Sequence, residues 1–159
     1  MNNTLEPVIR PARESDAETI ARFNSAMALE TEHLHLDPSR LLEGVRGLFI
    51  RPEFGRYLIA EWDGRVAGQT MITYEWSDWR NGVFWWIQSV YVLPEFRNRG
   101  IFRALMEQVE KEAGAAGGVC GVRLYVESNN QRAQEVYCRL GFQNTAYRML
   151  EKDYVLRRE

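Results

Sequence analysis

The chain has 159 residues, of which 45% are hydrophobic and 26% charged, and its formal net charge at pH 7 is −2. This length and composition fit one compact domain, so we expect a single domain over residues 1–159. The balanced charge excludes a global basic field for nucleic acid or an anionic membrane. The sequence has no signal-peptide pattern and no apolar stretch near the roughly 20 residues that a membrane span requires, which predicts a cytoplasmic protein.

The first third of the sequence predicts one strand and two helices. Residues 8–10 form a short candidate strand. Ser15 and Glu18 have the spacing of a capping box, which predicts that a helix begins there. Asp37 followed by Pro38 is a typical helix start, with the aspartate as N-cap and the proline in the first turn.

The middle of the chain changes to the two-residue period of β-strands. Residues 57–62 and 66–74 read as strands, joined by the hairpin dipeptide Asp63-Gly64. Residues 83–93 form a long and nearly continuous apolar run. Such a run is typical of a strand at the centre of a sheet that is covered on both faces.

The last third predicts two helices and three strands. The helices cover residues 100–116 and 132–140, and the strands cover residues 122–126, 143–150 and 154–156. The element order is therefore β-α-α-β-β-β-α-β-α-β-β. It predicts an α/β fold of mixed α+β type, with a central sheet of about six or seven strands flanked by about four helices. The crossover helix makes the strands at 83–93 and 122–126 parallel.

The segment from Val90 to Arg103 carries the clearest chemical signal. A buried strand runs into a basic loop, and the loop opens at Gly100 directly into a helix. The N–H groups and dipole of a helix start suit phosphate oxygens, and Arg97, Arg99 and Arg103 add positive charge. The alternative is a capped helix with a solvated basic face. Neither a Walker loop nor a dinucleotide fingerprint is present.

A second pattern follows about thirty residues later, at Asn130, Ala133, Tyr137, Gly141 and Phe142. Asn130 is a plausible N-cap and Gly141 a plausible left-handed helix end. Ala133 and Tyr137 lie four residues apart and share a helix face. Taken alone, the tyrosine reads as a core aromatic residue with its hydroxyl satisfied.

Together the two segments resemble the GNAT superfamily of N-acetyltransferases. Residues 97–102 look like its Q/R-x-x-G-x-G/A loop, and residues 130–142 look like its N-x-x-A-x-x-x-Y-x-x-x-G-F pattern. The chain departs from the first motif at its last position, where Phe102 replaces a small residue. The resemblance implies that acetyl-CoA is the cosubstrate, that no metal is needed, and that an opening in the sheet holds the pantetheine arm.

The resemblance also implies roles for particular residues. The backbone of Val90 and Val92 would pair with pantetheine, and the amides of residues 98–102 would hold the pyrophosphate. The predicted donor-binding set is Val90, Tyr91, Val92, Arg97, Asn98, Arg99, Gly100, Ile101, Phe102, Arg103, Asn130, Ala133 and Tyr137. Tyr137 is the expected general acid for the departing thiolate, with packing and a hydrogen bond to the cosubstrate as the alternative. The base is open among Glu127, Glu30, Glu32, Glu75 and a water chain.

Two further segments are candidates for the acceptor pocket. The expected acceptor-binding residues are Glu30, Glu32, Glu75, Trp76 and Gln88, because carboxylates and tryptophan can bind an ammonium group. We expect a small-molecule amine as acceptor, with a protein or peptide amine as the second hypothesis. A catalytically silent CoA-binding sensor is the third, because Gln88 stands where some relatives of the superfamily have a glutamate. No nucleic-acid or membrane partner is expected, and a homodimer would be usual for the superfamily.

Overall fold

The computed structural model describes residues 6–156 of the chain. These residues fall into two compact units, one ending at Tyr125 and the other beginning at Val126. The first unit holds the sheet and three of the α-helices, and the second holds the remaining helix.

The first unit is built on one five-stranded sheet whose spatial order follows the chain, β1-β2-β3-β4-β5. The strands are β1 (Val8–Pro11), β2 (Gly55–Trp62), β3 (Arg65–Ser77), β4 (Gly82–Val92) and β5 (Val119–Leu124). The first three pairings are antiparallel. The pairing of β4 with β5 is parallel, as the crossover predicted. Asp63 and Gly64 both have positive φ, at 50° and 71°, which is the geometry of the predicted tight hairpin.

Helices α1 (Ala17–Glu32) and α2 (Pro38–Ile50) lie between β1 and β2 in the chain. The start of α2 is as predicted, since the Asp37 carboxylate accepts the Arg40 N–H at 2.7 Å. The predicted capping box before α1 is wrong. The chain instead forms a 3-10 turn at Glu14–Asp16, and the Asp16 carboxylate accepts the N–H of Arg13 and two bonds from Arg10.

The helices cover the two faces of the sheet. Ile20 on α1 and Val45 on α2 share one core cluster with Tyr57 and Ile59 of β2. Helix α3 (Ile101–Ala115) packs against the strands through a fully buried apolar side formed by Ile101, Leu105, Met106 and Val109. Successive side chains of a strand point to opposite faces, so both faces of the central strands need such cover.

The second unit contains helix α4 (Gln131–Arg139), and residues 140–156 form no strand. The predicted strands at 143–150 and 154–156 are therefore wrong, and the sheet has five strands rather than six or seven. Side chains in this stretch compete for the backbone N–H groups that a ladder would use. Asp153 Oδ1 accepts from the N–H groups of Val155 and Leu156 at 2.7 Å each, and Thr145 Oγ1 accepts from the Tyr147 N–H.

Candidate active site

Strand β5 pairs with only the first half of β4. Their register runs from Val83 opposite Val119 to Ile87 opposite Leu124, whereas β4 continues to Val92 in register with β3. Within residues 6–156, no strand pairs with the other edge of Gln88–Val92. One edge of β4 is therefore open along five residues.

The backbone groups at this open edge can be assigned from their neighbours. The Leu93 N–H donates to the Ala67 carbonyl on β3 at 2.9 Å. Because strand backbone groups alternate in direction, those of Val92 and Val90 point away from β3 and towards the opening. A side chain agrees with this direction, since Arg97 Nε donates to the Val92 carbonyl at 2.9 Å. The two residues predicted to pair with pantetheine thus present their backbone at the open edge.

An irregularity in β4 marks the place where the edge opens. Met71 lies opposite Ser89 and Ile72 opposite Ile87, which leaves Gln88 as an extra residue on β4, a β-bulge. Gln88 Nε2 donates to Thr73 Oγ1 at 2.7 Å, and the Tyr125 hydroxyl donates to Gln88 Oε1 at 2.8 Å. The amide of Gln88 is therefore held at both ends. It is neutral, so it can orient a ligand but cannot take up a proton as a carboxylate would.

The loop after β4 turns into α3 through two residues with positive φ, Asn98 at 63° and Gly100 at 77°. The Ala104 N–H donates to the Gly100 carbonyl, the first bond of the α3 ladder. N–H groups before that point have no carbonyl acceptor inside the helix, and the helix dipole adds partial positive charge. A Cβ built on Gly100 would meet no atom within 4 Å, so the backbone is open to a close approach.

The three arginines of this segment have different partners. Arg97 pairs with Glu30 at 2.8 Å, and Arg103 pairs with Glu107 at 2.7 Å. Arg99 has its guanidinium over the rings of Trp62 and Phe96, at 5.5 and 5.7 Å from their centroids. In the described part of the chain it has no carboxylate within ion-pair distance. Arg99 is therefore the loop arginine whose charge is least neutralised.

Glu30 contacts the end of β4 and the loop that follows it. Its carboxylate accepts the Tyr91 hydroxyl and the Arg97 Nη2, both at 2.8 Å. The Arg97 hydrogen bond, followed by that of Tyr91, holds the pKa of Glu30 below its usual value. Burial, reinforced by Glu30, raises the pKa of Tyr91. Glu30 is thus an ionised hydrogen-bond acceptor, which makes it a poor general base at neutral pH.

The other predicted acceptor residues have different neighbours from Glu30. Glu75 pairs with Arg123 at 2.7 Å, and the Arg123 guanidinium lies 3.6 Å from the centroid of the Phe84 ring. Trp76 is 63% exposed on β3, and Glu32 is exposed at the end of α1. Glu30 and Glu75 are thus held by two different arginines, Arg97 and Arg123.

The second unit carries the second motif on α4. The Asn130 side chain accepts the Ala133 N–H at 3.1 Å, the predicted N-cap. Tyr137 packs edge-on against Phe142 with ring centroids 5.7 Å apart, and burial raises the pKa of its phenol. The Glu127 carboxylate accepts both the backbone and the side-chain N–H of Asn129. Glu127 thus holds the turn that precedes α4.

Sequence reasoning missed Thr73, Tyr125 and Arg123, which contact the predicted residues Gln88 and Glu75. Arg123 and Tyr125 alternate with the apolar residues of the predicted strand at 122–126. That alternation places them on the opposite face of the strand and was the available signal. The bulge at Gln88 gave no signal in a single sequence.

A strand with an open edge, followed by left-handed residues at a helix start, suits an extended ligand with a phosphate end. The sequence profile of the acetyltransferase (GNAT) family matches residues 20–142. A crystal structure of a possible acetyltransferase from Clostridium difficile 630 is 41% identical, with a TM-score of 0.87 over 94% of this chain and 99% of that one.

Two curated relatives are more distant. An uncharacterized N-acetyltransferase of Mycobacterium tuberculosis is 35% identical over 108 residues, which cover 64% of this chain and 65% of the relative. Mycothiol acetyltransferase of Corynebacterium aurimucosum is 30% identical over 146 residues, covering 86% of this chain and 46% of the relative. The chain thus spans less than two thirds of the length of either relative.

This chain belongs to the acetyltransferase (GNAT) family. The family resemblance predicted from the two motifs is confirmed. Among the described residues, no helix is long and apolar enough to cross a membrane.

Proposed function

We propose that this chain transfers the acetyl group of acetyl-CoA to a primary amine, that of a small molecule, by direct attack in a ternary complex. The observation that carries the proposal is the open edge of β4, which is followed, after the 3-10 turn Pro94–Phe96, by the left-handed residues at the start of α3. The family match spans residues 20–142 and so includes parts of both compact units. This supports treating the chain as a single acetyltransferase domain.

The donor is proposed to lie along this edge. The outward backbone groups of Val90 and Val92 would pair with the amides of the pantetheine arm, as an added strand would. The amides of residues 98–102 and the dipole of α3 would receive the pyrophosphate. Phe102, at the last position of the motif, is half-buried. Arg99 would supply the uncompensated positive charge.

The proposed reaction forms one bond and breaks one. The uncharged amine attacks the thioester carbonyl carbon, its nitrogen forms the new C–N bond, and the electron pair of the carbonyl moves to oxygen. Collapse of this tetrahedral intermediate expels the CoA thiolate and leaves the acetamide. A backbone N–H at the opening could stabilise the oxyanion. The amine loses one proton, and the thiolate gains one.

Tyr137 is proposed as the group that hydrogen-bonds to the departing sulfur. A thiol has a pKa near 8.5 and an ordinary phenol one near 10, so complete proton transfer to the thiolate is uphill by about 1.5 units. Burial raises the pKa of Tyr137 further. The phenol therefore acts mainly as a neutral hydrogen-bond donor that stabilises charge on sulfur. This role lies between the two suggested by the resemblance, a general acid and a packing residue that hydrogen-bonds to the cosubstrate.

The proton of the acceptor amine is proposed to leave through water. Glu30 and Glu75 are both engaged with arginines, and the pKa of Glu30 is lowered. Glu127 holds the backbone of Asn129. An ammonium group near its usual pKa of about 10.4 must lose its proton before attack, so the rate should rise with pH.

The acceptor is proposed to bind on the side of the sheet that carries Gln88, Thr73 and Tyr125, where β4 opens. The fixed amide of Gln88 offers one further donor and one further acceptor to a polar ligand. The similarity to a mycothiol acetyltransferase supports a small-molecule acceptor over a protein.

The experiment has two stages. Calorimetry first measures the dissociation constant of CoA. Thiol release from acetyl-CoA is then followed over a panel of amino sugars, amino acids, polyamines and short peptides, with wild type and Tyr137→Phe. We expect release with one class of small amine and a fall of about 10–100-fold in kcat for the variant. CoA binding without release for any acceptor would support the sensor hypothesis, and absence of CoA binding would refute the proposal.

A further inference from the structure

The hydrogen bonds of Glu30 form a closed ring of contacts between helix α1 and the loop that joins β4 to α3. Its two carboxylate oxygens accept separately, Oε1 from the Tyr91 hydroxyl and Oε2 from Arg97 Nη2. Arg97 returns to the strand through its Nε, which donates to the Val92 carbonyl. The Arg97 guanidinium also lies 5.6 Å from the centroid of the Tyr91 ring. One side chain of α1 thereby holds the end of β4 and the first residue of the loop together.

The strand side of this ring is rigid. Tyr91 is 5% exposed, and its ring packs at 5.3 Å from that of Phe23 on α1. Arg97 and Glu30, by contrast, are each about two-fifths exposed, so their geometry depends on the bonds between them. Because Arg97 is the residue at which the loop leaves the 3-10 turn Pro94–Phe96, fixing its side chain limits how the loop can move relative to Val92.

We propose that Glu30 is a positioning residue for acetyl-CoA: through Arg97 and Tyr91 it fixes the spacing between the open edge of β4 and the phosphate-binding loop. The inference rests on the proposed function and moves Glu30 from the acceptor side, where the sequence placed it, to the donor side. An extended donor must meet the backbone of Val92 and the amides after Arg97 together. A loop that is free to drift would bind it more weakly without affecting the amine.

Two substitutions test this, one that removes a charge and one that leaves the charge unchanged. Glu30→Gln removes a negative charge near the binding site of an anion, which by itself would tighten CoA binding at low salt. Tyr91→Phe removes one bond of the ring without changing any charge. Positioning predicts that both weaken CoA binding, by about 5- to 20-fold, and raise the KM for acetyl-CoA with little change in the KM for the amine.

The matched control is Glu18→Gln on the same helix. Glu18 is also paired with an arginine, Arg46, at 3.6 Å, but it lies in the first turn of α1 and is largely exposed. This control should leave the dissociation constant of CoA and both KM values unchanged. A double-mutant cycle of Glu30→Gln with Arg97→Gln should be non-additive, because Glu30 acts through Arg97.

Amide hydrogen exchange of residues 97–103 in the free protein separates this inference from the proposed function. We expect faster exchange in Glu30→Gln than in wild type, and no change in Glu18→Gln. If the wild type fails to bind CoA while the exchange difference persists, the proposed function is refuted. The conclusion that Glu30 restrains the loop would still stand. Wild type that binds CoA, with Glu30→Gln binding equally or more tightly, would overturn the positioning role. A change in the KM for the amine alone would return Glu30 to the acceptor side.

Discussion

The glycine at the start of α3 offers a test in which stability and ligand binding should separate. Gly100 has φ 77°, and a Cβ built there would meet no atom within 4 Å. Gly100→Ala therefore creates no clash inside the protein. It forces an L residue into the left-handed region, at a cost of about 1–2 kcal/mol in the free energy of unfolding.

The chain supplies a matched control in Gly64. It has φ 71°, its Cβ would also meet nothing within 4 Å, and it lies in the β2–β3 hairpin. Gly64→Ala should therefore cost about the same 1–2 kcal/mol in stability. Urea unfolding of both variants measures this cost, and similar values would show that the two glycines are equivalent as backbone positions.

CoA binding should distinguish the two variants. A methyl group at residue 100 would stand where the phosphate approaches the loop amides and would lengthen one charge-assisted hydrogen bond, worth about 1.5–3 kcal/mol. We expect a dissociation constant about 10- to 100-fold larger for Gly100→Ala and an unchanged one for Gly64→Ala, measured by calorimetry. Equal affinities in the two variants would refute the phosphate-binding role of this loop, since the stability costs already match.

Three further outcomes follow from the charges. Arg99→Gln should weaken CoA binding about 3- to 10-fold in low salt, and the difference from wild type should shrink towards about 0.5 M salt if the effect is electrostatic. Because burial raises the pKa of Tyr137, any loss of kcat from phenol ionisation should have its midpoint above pH 10.0, the ordinary pKa of the phenol. A loss with a lower midpoint that is absent in Tyr137→Phe would contradict this. Asp16→Asn should cost about 2–3 kcal/mol in urea unfolding at pH 7, because it leaves Arg10 with one carboxylate fewer. The Arg10 hydrogen bonds lower the pKa of Asp16 below 3.8. The loss in the free energy of unfolding should therefore be full above that pH and disappear as the pH falls through the lowered pKa. A loss that does not change with pH would exclude the ion pair.

The fold could be predicted where the sequence carries its own start and stop signals. Asp37-Pro38, Asp63-Gly64 and the Asn130 N-cap each act within a few residues, and the structure has each of them in the expected geometry. The predicted strands at 143–150 and 154–156 depended instead on a partner strand, which alternation of side chains cannot supply. The side chains of Thr145 and Asp153 accept hydrogen bonds from nearby backbone N–H groups, which a strand would use for pairing.

The candidate site also has one part that the sequence predicts and one part that it does not. The loop at Gly100 could be found from the sequence because a strand, a glycine and a helix start are neighbours in the chain. The role of Gln88 depends on a bulge that shifts the register of β4 by one residue. Its partner Thr73 lies on β3, and its partner Tyr125 follows the end of β5. Such contacts are fixed by register, which a single sequence specifies poorly when both faces of the strand are covered.

The carboxylates show what residue type alone leaves open about an acceptor pocket. Glu30 and Glu75 were grouped because an acidic side chain can bind an ammonium ion, yet each is already paired with an arginine. An ammonium ligand would have to displace a guanidinium that is held by further contacts, the Val92 carbonyl for Arg97 and the Phe84 ring for Arg123. A neutral polar surface such as that of Gln88 would suit the uncharged amine that attacks in the proposed reaction. On this view, KM for the amine, expressed as free base, should stay constant with pH while the KM for total amine falls as the amine deprotonates.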